Sequence, residues 1–322
     1  MSKAWTSRPG HRALVTGATG MVGRALAAQL GREVVATTRS GPKEAKLERV
    51  AEVVTWDGTS PLDAAALRDV EVVFHLAGEP VVEGRWNDAK KERILRSRIG
   101  STRALVQSIA DMDPQARPRV LICASAVGFY GSRGDELLTE TSAPGAGFLA
   151  DVCREWEAEA ARARALGVRV VSVRIGIVLS TAGGALAKML PIFRAGVGGR
   201  LGDGRQWMPW IHIDDLVGIL RFAAASDELE GPVDASAPDI VNNAAFTRAL
   251  GKALHRPAML AAPAFALRVA LGEAASVVLA SQRVAPARAL EAGYRFAHPK
   301  LGEALADLLP GKSAAAAATA AS

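Results

Sequence analysis

Residues 12–23, RALVTGATGMVG, join an apolar run to three glycines at positions 17, 20 and 23. Gly17 permits a tight turn, Gly20 lets the backbone approach a pyrophosphate, and Gly23 lets the next helix pack closely on the strand. The first turn of that helix offers free N–H groups, which favour phosphate. The stretch therefore predicts a dinucleotide contact through Gly17, Thr19, Gly20, Met21 and Gly23. A turn with a purely structural role is the alternative.

The first half of the chain alternates short apolar runs with helical patterns, which is typical of a parallel α/β sheet. The runs predicted as strands are Ala13–Thr16, Glu33–Thr38, Glu52–Thr55, Val70–Leu76, Arg119–Ala124 and Val168–Val173. The predicted helices between them are Met21–Leu30, Asn87–Asp111 and Leu149–Leu166. The expected fold is a doubly wound parallel sheet with a smaller, mostly helical C-terminal domain.

The pattern changes after residue 180. Residues 1–180 are predicted to form the nucleotide-binding domain, and residues 181–311 a small domain on the substrate side, with 205–235 returning to the sheet. Seven glycines make 183–204 read as a mobile loop. Helices are expected at 211–225, 243–256, 263–282 and 300–309, and the alanine-rich tail 312–322 is expected to be disordered.

The end of the second predicted strand favours a phosphorylated cofactor. A site for NAD would place Asp or Glu there for the ribose 2′-hydroxyl. This chain has Arg39 between Thr38 and Ser40. A guanidinium binds a 2′-phosphate through paired, charge-assisted hydrogen bonds. We therefore predict NADP(H), the alternative being a solvated loop arginine.

Two more segments follow strand ends, where open α/β sheets bind their ligands. Asp57 follows the third strand and is predicted to accept a hydrogen bond from the adenine amino group. The small residues of the segment after the fourth strand are predicted to let the ribose and nicotinamide lie on the backbone. The cofactor residues predicted in that segment are Leu76, Ala77, Gly78 and Glu79.

Composition excludes several classes of protein. Of the 322 residues, 49% are hydrophobic and 22% charged, which is enough apolar material for a folded core. No apolar run reaches membrane-spanning length, and the N-terminus lacks the apolar stretch of a secretory signal. Two cysteines and a net charge of +6 offer neither a disulfide scaffold nor a nucleic-acid-binding tract. We expect a cytoplasmic protein that binds a small molecule rather than a membrane or nucleic acid, and its oligomeric state stays open.

Longer motifs add a resemblance. The chain is similar to the atypical, epimerase-like members of the extended short-chain dehydrogenase/reductase superfamily, which carry a C-terminal domain of unknown function. The similarity covers residues 12–310 and rests on HLAGE at 75–79, RWN at 85–87, SR at 97–98, SAVGFYG at 125–131, WIHIDDL at 210–216 and AGYRF at 292–296. It implies the Rossmann fold, and it implies that Arg98 approaches the cofactor phosphates. A surface salt bridge is the alternative for Arg98.

The superfamily's chemistry implies a serine, a proton-transferring tyrosine and, four residues later, a lysine. No Tyr-x-x-x-Lys occurs in this chain, and Leu149 and Cys153 take the two positions. Leucine transfers no proton, and a thiol with a reference pKa of about 8.5 does not replace a lysine cation. Ser125 is retained, and Tyr130 on the same loop is the candidate donor, although a buried structural tyrosine is equally consistent.

Three other features allow two interpretations. Glu79 is either a carboxylic acid with a raised pKa or a ribose contact. His212 with Asp214 and Asp215 suggests a metal or acid–base cluster, whereas the resemblance implies a structural crossover that docks the small domain. Trp207 and Trp210 line a substrate pocket or fill a domain interface.

The leading hypothesis is an atypical NADP(H)-dependent oxidoreductase or epimerase-like enzyme acting on a small substrate near Ser125. In it the cofactor supplies the hydride and the protein supplies orientation. The alternative is a non-catalytic NADP(H)-binding regulator or interaction protein, since some members of the family are described as cell-division inhibitors. The sequence leaves the substrate and the reaction direction open.

Overall fold

The computed structural model describes residues 4–6, 10–47 and 49–310. The predicted tail 312–322 lies outside the described residues.

The molecule is built on a parallel sheet of seven strands. They are β1 (Arg12–Thr16), β2 (Val34–Thr38), β3 (Glu52–Thr55), β4 (Val70–His75), β5 (Val120–Ala126), β7 (Arg169–Ile175) and β11 (Gly231–Ala235). Their order across the sheet is β11-β7-β5-β4-β1-β2-β3, and every neighbouring pair is parallel. The chain leaves β1 toward β2 and β3, then returns to the other side of β1 for β4, so the order reverses between β1 and β4.

Helices cover both faces of this sheet, which confirms the predicted fold class. They are α1 (Met21–Leu30), α2 (Pro42–Ala45), α3 (Asp88–Leu95), α4 (Ser101–Ala110), α5 (Phe148–Ala161) and α7 (Ile213–Ala225). On one face Leu26 of α1 and Leu220 of α7 are fully buried in the same core cluster. On the other face Leu105 of α4 and Trp156 of α5 pack in a second cluster.

The six predicted strands are all present, since continuous apolar runs are buried on both faces of a parallel sheet. The long predicted helix 87–111 is interrupted by a π-helical segment, Arg96–Gly100, between α3 and α4. Such single turns often occur at functional sites. This one lies beside the cleft described below.

Two predictions past residue 180 were wrong in detail. The glycine-rich loop 183–204 contains helix α6 (Gly184–Arg194), which buries Leu186, Leu190 and Phe193 on one side. The single helix expected over 263–282 is divided at Gly272, where φ is +61°. A left-handed residue ends a helix, and glycine adopts that conformation without a Cβ clash.

The remaining elements form the C-terminal part and its supports. The helices are α8 (Asn243–Ala253), α9 (Ala264–Leu271), α10 (Ala275–Leu279), α11 (Ala287–Glu291) and α12 (Leu301–Leu308). The short strands are β6 (Leu137–Leu138), β8 (Ile177–Leu179), β9 (Trp207–Met208), β10 (Trp210–His212), β12 (Val241–Asn242) and β13 (Arg283–Val284). Leu179, Phe246 and Leu305 fill a third core cluster here.

Polar contacts join the C-terminal part to the half of the chain that forms the parallel sheet. Strand β13 pairs with β6, and Gln282 Nε2 donates to the carbonyls of Val127 and Gly131 at 2.9 Å each. Buried Asp215 accepts the backbone N–H groups of Ala297 at 2.7 Å and His298 at 2.9 Å. Within the described part of the chain, no helix combines the length and apolarity that a bilayer crossing demands.

Candidate functional site

A cleft of about 610 Å³ runs along the carboxyl ends of β1, β2, β3 and β4. It therefore lies beside the point at which the strand order reverses, where open α/β sheets bind their ligands. The lining residues are Gly17, Thr19, Gly20, Thr37, Thr38, Arg39, Trp56, Asp57, Gly58, Thr59, Leu76, Ala77, Gly78, Glu79, Pro80, Arg93, Arg96, Ser97 and Ser101. Ten of the predicted cofactor residues are in this set. Met21, Gly23, Ser40 and Arg98 are not among the lining residues.

The glycine turn has the geometry that its sequence predicts. Gly17 has a φ of +66°, and a Cβ there would lie 2.7 Å from the Leu76 carbonyl oxygen. A Cβ on Gly23 would overlap the Gly17 carbonyl, so Gly23 sets how closely α1 packs on the turn. Gly20 precedes α1 and has no side chain to cap it. The N–H groups of the first turn are therefore left for a ligand such as phosphate.

The part of the cleft beyond β2 and β3 carries both groups predicted to recognise the adenosine, Arg39 and Asp57. Arg39 follows β2, is exposed and lines the cleft. Asp57 Oδ1 accepts the N–H groups of Thr59 at 2.7 Å and Ser60 at 2.9 Å. These backbone hydrogen bonds lower the pKa of Asp57, so its carboxylate stays ionised and acts only as an acceptor. Arg96 also lines the cleft, and the sequence analysis did not identify it.

Glu79 lies at the end of β4 and is an ion-pair partner. Its Oε1 lies 2.8 Å from Lys90 Nζ and 3.5 Å from Arg93 Nε. The hydrogen bond from Lys90 lowers the pKa of Glu79. A proton donor needs the opposite shift, so the hypothesis of a carboxylic acid with a raised pKa at Glu79 was wrong.

Comparisons with known proteins agree with this geometry. The model of the NAD dependent epimerase/dehydratase family matches residues 13–242, and a domain of unknown function, DUF1731, matches residues 262–308. The chain is 41% identical over 296 residues to the epimerase family protein Mb2239 of Mycobacterium bovis, covering 90% of this chain and 95% of that one.

This chain belongs to the NAD-dependent epimerase/dehydratase family.

Two solved structures of similar proteins share the fold. The human epimerase family protein SDR39U1 (isoform 2), solved with NADPH, has a TM-score of 0.83 at 33% identity, covering 92% of this chain and 99% of that one. The nucleoside-diphosphate sugar epimerase of Corynebacterium glutamicum has a TM-score of 0.73 at 37% identity, covering 97% of this chain and 62% of that one.

Within this epimerase/dehydratase fold, Ser125 lies at the end of β5 and is 3% exposed. Its hydroxyl donates to Glu157 Oε1 at 2.6 Å. Glu157 in turn accepts from Arg174 Nε and Nη2, each at 2.9 Å. Burial works to lower the pKa of Arg174, but the hydrogen bonds and charge of Glu157 outweigh it, and the pKa of Arg174 lies above its ordinary value. The proton of Ser125 is therefore directed at Glu157, and Ser125 is not among the residues that line the cleft.

Sequence reasoning missed Glu157, although a signal was present. Leu149, Cys153 and Glu157 recur every four residues on α5, so they share one helix face. Gly128 packs against Leu149 and Cys153, since a Cβ there would lie 3.5 Å from Leu149 Cβ and 3.8 Å from Cys153 Sγ. The face that carries tyrosine and lysine in the superfamily therefore carries a carboxylate one turn further along.

Tyr130 has no exposed surface. Its hydroxyl lies 2.7 Å from Asp234 Oδ2, to which it donates, and it accepts from Arg174 Nη1 at 2.9 Å. Burial raises the pKa of both Tyr130 and Asp234. This placement argues against proton transfer to a substrate by Tyr130.

The remaining candidates are not among the residues that line the cleft. The cluster predicted around His212 is present as a group of possible ligands, since one atom each of His212, Asp214, His298 and Asp307 lies within 4.8 Å of the others. His212 Nδ1 accepts the N–H of Asp214 at 3.1 Å and so caps α7. Trp210 is fully buried, and its Nε1 donates to the Asp239 carbonyl at 2.8 Å. Trp207 Nε1 donates to Asp135 Oδ1 at 2.7 Å. Neither tryptophan is among the residues that line the cleft.

Proposed function

We propose that the protein binds NADP(H) in this cleft and uses it in an oxidoreductase or epimerase-like reaction on a small, as yet unidentified substrate. The observation that carries the proposal is Arg39 at the rim of the cleft beyond β2. A guanidinium there fits a 2′-phosphate, whereas the NAD pattern requires an acidic residue. The 33% identical human protein SDR39U1 was solved with NADPH, which supports the same assignment.

The residues present fit the cofactor as a whole. The close approach of Gly17 to Leu76 leaves no room for a side chain where the pyrophosphate crosses. Asp57 is an ionised acceptor at the adenine end, and Gly78 offers open backbone beyond β4. When bound, the nicotinamide ring supplies or accepts a hydride. The protein contributes the orientation of that ring.

One observation favours a second function, that of a non-catalytic NADP(H)-binding regulator. Both tyrosines of the chain are buried with engaged hydroxyls, Tyr130 with Asp234 and Tyr294 with Asp215. The phenol that the superfamily uses for proton transfer is therefore absent from the described end of β5 and α5. A regulator needs the cofactor site but does not need a phenol for proton transfer.

Thermal unfolding with NADPH, NADP⁺ and NADH tests the cofactor assignment. A ligand at a hundredfold excess over its Kd adds about 2.7 kcal/mol to the native state, which raises the Tm by several degrees for a chain of this size. We expect that shift with the two phosphorylated cofactors and little with NADH. An equal shift with all three contradicts the 2′-phosphate assignment, and no shift contradicts cofactor binding.

Deuteride transfer distinguishes the two functions. NADPH deuterated at C4 is incubated with a cell extract, with and without the protein. Protein-dependent appearance of deuterium in a metabolite supports the oxidoreductase. Retention of the label across broad metabolite pools, together with a normal thermal shift, supports the regulator. The matched control is Arg39→Glu, which we expect to reduce the NADPH-dependent signal in both assays.

A further inference from the structure

A cation without a carboxylate partner lies beside the cleft. Arg98 is in the π-helical segment Arg96–Gly100, and its guanidinium carbon lies 5.2 Å from the ring centroid of Trp156. Its Nη1 reaches only the Ile94 carbonyl at 3.5 Å and Ser97 Oγ at 3.4 Å, both long distances. Among residues 4–6, 10–47 and 49–310, no carboxylate lies within ion-pair distance of Arg98. A partly buried guanidinium without such a partner is costly unless a ligand supplies the acceptors.

The guanidinium lies between β4 and α5. A Cβ on Gly78 would lie 3.2 Å from Arg98 Nη2, so the side chain rests on the Gly78 backbone. Gly78 itself lines the cleft. On the other side, the positive charge of Arg98 acts on Cys153 and opposes the effect of burial, which raises the pKa of that thiol to about 11. Through its contact with Trp156, Arg98 lies against α5, the helix on which the superfamily carries its lysine.

The strand order decides which half of a bound dinucleotide lies near Gly78 and Arg98. The order β3-β2-β1-β4-β5 puts Arg39 and Asp57 on one side of the glycine turn and Arg98 on the other. A dinucleotide that places its adenosine over β2 and β3 and its pyrophosphate at β1 extends its other half across β4. That half is the nicotinamide ribose with its ring.

We propose that Arg98 binds the hydroxyl oxygens of the nicotinamide ribose. Arg98 lies in the segment between α3 and α4, and it provides the cation that Cys153 on α5 does not provide. The inference rests on the proposed NADP(H) binding and assigns Arg98 to the nicotinamide half. The phosphate contact that the family resemblance implies for Arg98 is replaced by this assignment. The guanidinium offers several N–H donors in a fixed plane, which suits two adjacent hydroxyl groups.

The test compares two ligands of the same site by calorimetric titration. NADPH contains both halves of the cofactor, whereas adenosine 2′,5′-bisphosphate contains only the adenosine half with its phosphates. Arg98→Met removes the charge but keeps a side chain that can lie on Trp156. Because hydrogen bonds to a charged group are involved, we expect NADPH to bind about tenfold more weakly or worse, and the bisphosphate to bind as before. Arg103→Met, an exposed arginine on α4 that pairs with Glu159, is the matched control and should leave both affinities unchanged.

A second substitution that restores a cation near the ribose makes the test more specific. In the Arg98→Met background, Cys153→Lys restores a cation from α5 and should recover part of the lost NADPH affinity. Unchanged NADPH affinity in Arg98→Met overturns the proposal, as does an equal loss for both ligands, which would place Arg98 at the phosphates. If Arg98→Met does not fold, Arg98→Gln is compared with the same two ligands. Failure of the unaltered protein to bind either ligand overturns the proposed function itself, so the two failures are distinguishable.

Discussion

Arg39 is exposed at the rim of the cleft, so its charge is available to a ligand without loss of packing. Arg39→Glu replaces a phosphate-binding group by one that repels phosphate and accepts from a ribose hydroxyl. We expect NADPH affinity to fall by about 2 kcal/mol, roughly thirtyfold, while NADH affinity holds or improves. Fluorescence titration of both cofactors measures the ratio. A ratio that does not change would assign Arg39 to the solvated surface.

Tyr130 offers a second test at a single side chain. Tyr130→Phe leaves Asp234 and Arg174 buried without the hydroxyl that joins them. We expect a loss of about 1–3 kcal/mol in the free energy of unfolding and no loss of NADPH affinity, because the hydroxyl serves the core. Urea denaturation measures the first quantity and titration the second.

Tyr294→Phe is the matched comparison for Tyr130→Phe, since its hydroxyl also lies against a buried aspartate, Asp215, at 3.2 Å. Both variants should lose stability. Normal stability in Tyr130→Phe, combined with loss of deuteride transfer from NADPH, would restore Tyr130 as the proton donor.

At the scale of elements, the start of α1 depends on Gly23, because glycine has no side chain. Gly23→Ala places a methyl group on the Gly17 carbonyl, so helix and turn must separate. We expect a loss of about 1–3 kcal/mol in stability together with loss of the NADPH-induced thermal shift. Differential scanning fluorimetry with and without NADPH measures both.

Gly302 supplies the control for that substitution. It lies in the first turn of α12, is exposed, and has open space where the methyl group of an alanine would lie. Gly302→Ala should leave the thermal shift intact and add up to about 1 kcal/mol of stability, because alanine is the better helix former. Similar losses in both variants would mean that the close packing at Gly23 is not what holds α1.

Helix α6 shows where the sequence analysis overlooked apolar residues at helical spacing. Helix α6 carries Leu186, Leu190 and Phe193 at helical spacing, and all three are buried. The seven glycines of 183–204 led to the prediction of a loop. Apolar spacing was the stronger signal because burial of one helix face outweighs unfavourable residues elsewhere in the helix.

For the whole molecule, the stability at acid pH depends on His75 at the centre of the sheet. It is fully buried between Thr16, whose hydroxyl lies 2.7 Å from Nδ1, and Ser101, whose hydroxyl lies 3.2 Å from Nε2. Burial lowers the pKa of His75 from 6.5 to about 4. The unfolded chain therefore binds a proton at higher pH than the native protein does.

The resulting stability is fully present above pH 6.5 and is lost as the pH falls from 6.5 toward 4. We expect His75 to account for a loss of about 3 kcal/mol across this window. Urea denaturation at several pH values measures it. His75→Asn should flatten the slope, and the exposed histidine variant His255→Asn should not. A slope that survives His75→Asn would assign the acid sensitivity to other groups.

The sequence by itself determined the architecture of the half that forms the parallel sheet. Residues 12–23 predicted a strand, a glycine turn and a helix, and the structure contains all three. These features are local, since glycine conformation and apolar runs act between residues that are close in the chain. The absence of Tyr-x-x-x-Lys is equally a property of the sequence, and so is Arg39 at a strand end.

Only the tertiary structure decided what lies at the end of β5. Ser125, Glu157 and Arg174 meet there from three different elements, separated by 32 and 17 positions in the chain. Tyr130 and Asp234 join the same network from positions 104 apart. No local pattern fixes such contacts, because strand order and helix packing select which polar side chains share a buried space and must satisfy one another. The same packing turned Tyr130 into the core and placed Arg98 against Gly78.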